Sequence, residues 1–146
     1  VEQGCIPNGT FEATTSTFYL GGAWSIDKRN RVKGVDWFEE EEITAAEGEE
    51  LFKYYSQVKP KIMVTHDCPT SVAYELFIKP GLDLSYKVNG HYGNYQFITR
   101  TAELLQRMFE AHQPELWVFG HWHNSRDVML SGTRFVCLAI NEAREL

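Results

Sequence analysis

The chain has 146 residues, 43% apolar and 23% charged, which suits one compact domain with a real core. Twenty Asp and Glu outweigh fourteen Lys and Arg, for a net charge of -6, which argues against a nonspecific nucleic-acid binder. Cys5, Cys68 and Cys137 are odd in number and carry no CxxC pair, so they read as reduced thiols in a cytoplasmic protein; no apolar run reaches the length of a membrane span and no signal peptide is visible.

In chain order, residues 15–20 read as a strand rich in Thr and aromatics, stopped by Gly21 and Gly22. A polar loop follows, containing Arg29 and Arg31. Thr44 with Glu47 three residues later is a capping-box pattern. Leu51, Tyr54, Tyr55 and Val58 then recur at helical spacing, which predicts a helix of about four turns ending before Pro60. Residues 61–65 form a short apolar run, a buried strand with His66 at its carboxyl end. Pro69 fits the first turn of a new helix. Residues 81–95 hold Gly and Asn without a sustained period and read as a loop.

Helical spacing resumes at Ile98, with Ala102, Leu105, Met108 and Phe109 on the same face, and Pro114 closes it. Residues 116–119 read as the next strand, and His121–Trp122–His123 follows its carboxyl end. Residues 127–130 and 133–139 read as two more strands, joined at Ser131–Gly132 by a hairpin turn. Strands and helices alternate along the middle of the chain, and hairpin character appears at its end. The expectation is a single α/β domain, residues 1–146, built in layers on a mixed sheet.

In such folds chemistry gathers where strands end. His66 and the pair His121 and His123 all lie at carboxyl ends of predicted strands. A neutral imidazole there can ligate Zn, Mn or Fe, or act as a general acid or base. Gly120 would give the freedom to bend the chain and spread the two rings. The competing reading is a chance pair of surface histidines. His91 and His112 have no strand-end context and read as structural or solvent-facing. Cys68 and Trp122 read as packing residues, with Trp122 directed away from its flanking histidines. Arg29, Arg31 and Arg100 are candidates to clamp a phosphate, because guanidinium offers paired donors to phosphate oxygens.

The segments GGAWSID (residues 21–27), VTHDCP (64–69) and FGHWH (119–123), in this order, resemble the calcineurin-like metallophosphoesterases, most of all their bacterial and phage-type phosphatases. The resemblance spans nearly the whole chain. It implies a layered α-β-β-α sandwich of two mixed sheets and a two-metal phosphoester hydrolase. By the family pattern, His66 and His121 would bind one ion and His123 the other. The complete enzyme would hold two divalent ions (Mn, Fe or Zn) and act on a phosphoprotein or a small phosphate ester. A phosphodiesterase or nuclease of the same superfamily is the nearest alternative, and a catalytically inactive binding module with this fold is another.

The family's D-x-H, G-D-x-x-D and G-N-H-[DE] motifs have no counterpart here. GNYQ at residues 93–96 begins like the third motif but places Tyr95 where its histidine belongs, and it follows His66 rather than preceding it. The resemblance therefore covers the C-terminal half of the family pattern. This half alone is expected to be inactive, to hold at most one ion, zinc, with a carboxylate such as Asp67 as a further ligand, and to need an N-terminal half or a second chain. Half a sandwich would also bare an apolar sheet face and favour homo-oligomers.

Overall fold

The computed structural model describes residues 6–22, 42–80 and 98–146. The loop expected at residues 81–95, together with Cys5, Arg29, Arg31, Tyr95 and His91, lies outside them. Among the described residues the chain forms one six-stranded mixed sheet and three α-helices.

Strands β1 (Thr10–Glu12) and β2 (Thr17–Leu20) pair antiparallel. β2 is the core of the strand expected at residues 15–20; β1 carries no sequence signal of its own. Their connection is organised by Glu12, whose carboxylate accepts the backbone N–H of Thr14 (3.0 Å) and of Thr15 (2.8 Å) as well as both hydroxyls.

Helix α1 (Ala45–Val58) starts as the capping box requires. Thr44 Oγ1 accepts from Glu47 N–H, and Glu47 Oε2 accepts from Thr44 N–H. It ends at Lys59, whose positive φ of 44° turns the chain away just before Pro60. β3 (Ile62–Thr65) follows. Pro69 precedes rather than opens the next helix, α2 (Thr70–Ala73). That helix widens at once into a π-helical turn, Tyr74–Ile78, closed by Lys79 N–H donating to the carbonyl of Tyr74 at 2.9 Å.

Helix α3 (Arg100–Ala111) begins two residues later than the apolar spacing suggests. Thr99 caps it by accepting the N–H of Ala102 at 3.0 Å, so Ile98 falls before the helix and is 52% exposed rather than part of the buried face. The local cap overrode one match to the period. β4 (Leu116–Phe119) coincides with the expected strand. β5 (Arg126–Leu130) and β6 (Thr133–Cys137) form the expected hairpin. Both turn residues, Ser131 (φ 49°) and Gly132 (φ 83°), have positive φ, the form whose twist matches a two-residue hairpin.

The strand order is β1-β2-β3-β4-β6-β5, with β2, β3, β4 and β6 mutually parallel and antiparallel strands at both edges. One face of the sheet carries the in-register row Phe18, Met63, Trp117 and Phe135, all fully buried. Tyr55 of α1 and Leu105 and Met108 of α3 join this core. The opposite face carries a second row, Tyr19, Val64, Val118 and Val136. Parallel strands with apolar residues on both faces are the pattern of a sheet covered on both sides. Among the described residues the fold is mixed α/β, built on this one sheet.

Candidate metal centre

β3 and β4 are adjacent and parallel, pairing Ile62 with Leu116, Met63 with Trp117 and Val64 with Val118. Their carboxyl ends therefore emerge side by side, and Gly120 N–H donates to the carbonyl of His66 at 3.1 Å just beyond the ladder. This brings together two imidazoles 55 residues apart in sequence: His121 Nδ1 lies 3.3 Å from His66 Nε2, with the rings inclined at 67°. Two nitrogens bound to one tetrahedral zinc at about 2.0–2.1 Å stand about 3.3 Å apart. The pair therefore fits two ligand positions of one divalent ion.

Electrostatics favours the ligand form of His66. The side chain reaches the surface, yet its neighbours enclose the ring enough for desolvation to lower its pKa below the ordinary 6.5. The charges of His121 and His123 push in the same direction, and Asp67 opposes them. His123 is thus close enough to act on His66 through its field. Among the described residues, no group of three or more His, Cys, Asp or Glu side chains is arranged to hold a metal ion.

The loop after β4 departs from expectation in one respect. The chain bends on the histidines and not on Gly120: His121 has φ 63° and His123 φ 50°. Trp122 N–H donates to the carbonyl of Gly120 at 2.7 Å, closing a three-residue turn with His121 at its centre, a rare and strained form. A Cβ on Gly120 would meet the carbonyl oxygens of Leu138 at 3.9 Å and His66 at 4.0 Å, ordinary contacts, so space does not demand glycine there. Left-handed backbone on a residue with a side chain costs about 1–2 kcal/mol, and such outliers cluster at functional sites.

Asp67, expected as a further ligand, has one carboxylate oxygen committed to other partners. It is 1% exposed, and its Oδ1 accepts the backbone N–H of Cys68 (2.8 Å) and the indole N–H of Trp122 (3.1 Å). Trp122 in turn stacks on Phe77, with ring centroids 4.5 Å apart and planes within 4°. Trp122 packs as expected, but it is not directed away from both flanking histidines: its ring meets that of His121 edge-on, with centroids 5.9 Å apart. Its bond to Asp67 and its Phe77 partner have no local signature, because Phe77 comes from the π-helical turn and looks in sequence like any core aromatic. Cys68 is buried and burial raises its pKa; the Cys137 thiol is likewise pushed up to about 12 by burial. Burial thus favours the thiol form of both side chains.

Of the phosphate candidates among the described residues, Arg100 lies at the first turn of α3, 3.7 Å from the carboxylate of Glu42. It lines a groove between α1 and α3 with Glu49, Glu103 and Arg107, and none of the three histidines lines that groove. His112 is structural: its Nε2 meets the carbonyl oxygen of Pro60 at 2.8 Å and its ring packs against Tyr55. No known family model matches the chain, and no curated protein matches it in sequence.

Proposed function

We propose that this chain is the histidine-bearing half of a metallophosphoesterase-like phosphatase, a metal-dependent hydrolase of phosphoesters. One observation carries the reading: imidazole nitrogens from the ends of two neighbouring parallel strands stand 3.3 Å apart, as two ligands of one ion do. The motif order and the apolar second face of the sheet add support, the latter because a sandwich partner would cover it.

In this reading His66 and His121 hold one divalent ion and His123 reaches toward a second. Bound divalent ions supply Lewis-acid polarisation of phosphoryl oxygens and make water a nucleophile at neutral pH. Burial lowers the His66 pKa, which favours the neutral imidazole that a metal ligand requires. The strained backbone at His121 and His123 holds both rings at the strand ends before substrate arrives. The carboxylates that hard ions require come from an N-terminal half or a second chain carrying D-x-H and G-D-x-x-D. The substrate class is a phosphomonoester, on a phosphoprotein or a small ester, and the setting is the cytoplasm.

The test uses the 146-residue chain purified without chelator and titrated with Zn²⁺ or Co²⁺. One ion per chain is expected, lost in His66→Ala and in His121→Ala. Hydrolysis of p-nitrophenyl phosphate with Mn²⁺ should be at background for the chain alone and appear on co-expression with the motif-bearing half. Failure to take up any ion would overturn the metal reading and leave an inactive binding module. Robust turnover by the chain alone would refute its being half of a site.

A further inference from the structure

The sequence around the histidines contains a buried acid and a tryptophan that the metal reading does not use. Asp67 directly follows His66, and Trp122 sits between His121 and His123. The two residues meet across the gap between the β3 and β4 loops through the bond from indole N–H to Oδ1. A carboxylate that is 1% exposed is a costly choice for packing alone, since an apolar residue of similar size would need no partners.

We propose that Asp67, Trp122 and Phe77 form a clamp that positions His121 against His66; the proposal rests on the metal-binding reading above. The three contacts divide the task. Stacking on Phe77 fixes the plane of the indole, because the rings lie 4.5 Å apart and almost parallel. Stacking leaves the indole free to turn within that plane, and the bond to Asp67 Oδ1 removes this freedom. Asp67 is itself braced from the core: Thr65 Oγ1 donates to its carbonyl, and Trp117 Nε1–H of β4 donates to Thr65 Oγ1 at 2.8 Å. Phe77 is buried and set edge-on against Phe119, the last residue of β4.

With Trp122 held at both faces of its role, the Cα between the two histidines has a defined position. The left-handed φ values on either side then aim the imidazoles. Such strained backbone persists only where surrounding contacts over-determine it, and the clamp supplies those contacts. Asp67, Trp122 and Phe77 are positioning residues that act through His121, and Asp67 also acts on His66 through its charge.

Trp122→Phe keeps an aromatic face and removes the donor; Asp67→Ala removes the acceptor; Asp67→Asn keeps an oxygen able to accept both N–H groups. The readouts are Co²⁺ affinity by absorption titration and, without metal, the side-chain ¹⁵N shifts of His66 and His121 by NMR. Trp122→Phe and Asp67→Ala are expected to weaken Co²⁺ binding about tenfold, the usual size of an outer-shell loss, and to move the histidine shifts toward those of isolated imidazoles. Asp67→Asn should recover most of both. His66→Ala should abolish Co²⁺ binding while leaving the indole bond intact.

If Trp122→Phe and Asp67→Ala stay folded with wild-type Co²⁺ affinity and unchanged histidine shifts, the clamp is refuted. If both variants unfold, Asp67→Asn alone decides: wild-type affinity and shifts support the clamp, and a loss as large as that of His66→Ala overturns it. If the wild type binds no Co²⁺, the metal reading fails, and the metal-free shifts still decide whether Trp122 positions His121.

Discussion

At the residue scale, the feature that stands out is where strain falls. Glycine precedes the two histidines, yet the left-handed backbone sits on His121 and His123. Imidazole in that conformation destabilises the fold, and a residue without Cβ would remove the penalty. Comparing two substitutions at one position separates backbone from side chain: both His123→Gly and His123→Ala lose the imidazole, and only Gly accepts φ 50° freely. His123→Gly should be more stable than His123→Ala by about 1 kcal/mol, measured by urea unfolding. Equal stability, or the reverse order, would show that the turn is not strained at this residue. The sequence marks these histidines as strand-end imidazoles; it does not say which residue of Gly120–His123 bears the positive φ, because that depends on where Trp122 is anchored.

At the element scale, local signals predict local structure well where short-range hydrogen bonds decide. The capping box fixes the start of α1, and the Ser131–Gly132 turn fixes the β5–β6 hairpin. The β1 strand escapes this logic because three residues have no period to read, and it is held by pairing with β2 and by the Glu12 carboxylate. Hydrogen bonds from the hydroxyls and backbone N–H groups of Thr14 and Thr15 lower the Glu12 pKa from 4.5 to about 2. Between those two values the unfolded chain binds more protons than the folded one, so stability rises with pH. The contribution is full above about pH 4.5 and is lost as pH falls toward 2. Glu12→Gln should therefore flatten the acid limb of the stability–pH curve between those limits, read from denaturant midpoints. Parallel curves for wild type and variant would refute this role for Glu12.

At the scale of the whole molecule, the sheet has one face packed by helices and another that is also apolar. Tyr19, Ile62, Val64 and Leu116 on that second face are half-buried among the described residues, and Met129 on β5 is 64% exposed. If this face normally meets a second sheet, the 146-residue chain by itself should self-associate as its concentration rises, detected by sedimentation velocity. Ile62→Glu lies at the start of β3, at the opposite end from His66, and should shift the chain toward monomer without disturbing the His66–His121 pair. A chain that remains monomeric at every concentration would count against the half-sandwich reading.

Period, capping and turn chemistry act over a few residues, so the sequence by itself determined α1, β3, β4 and the terminal hairpin, and it marked His66, His121 and His123 as strand-end groups. What it could not contain is the 3.3 Å meeting of His66 with His121, or the use of Asp67 to hold Trp122. Those contacts span 55 positions and exist because β3 and β4 pair in parallel, in register, as neighbours in the sheet. Strand pairing is chosen by the collective burial of Phe18, Met63, Trp117 and Phe135 beneath the helices, a free energy shared among distant segments and written in no single one of them.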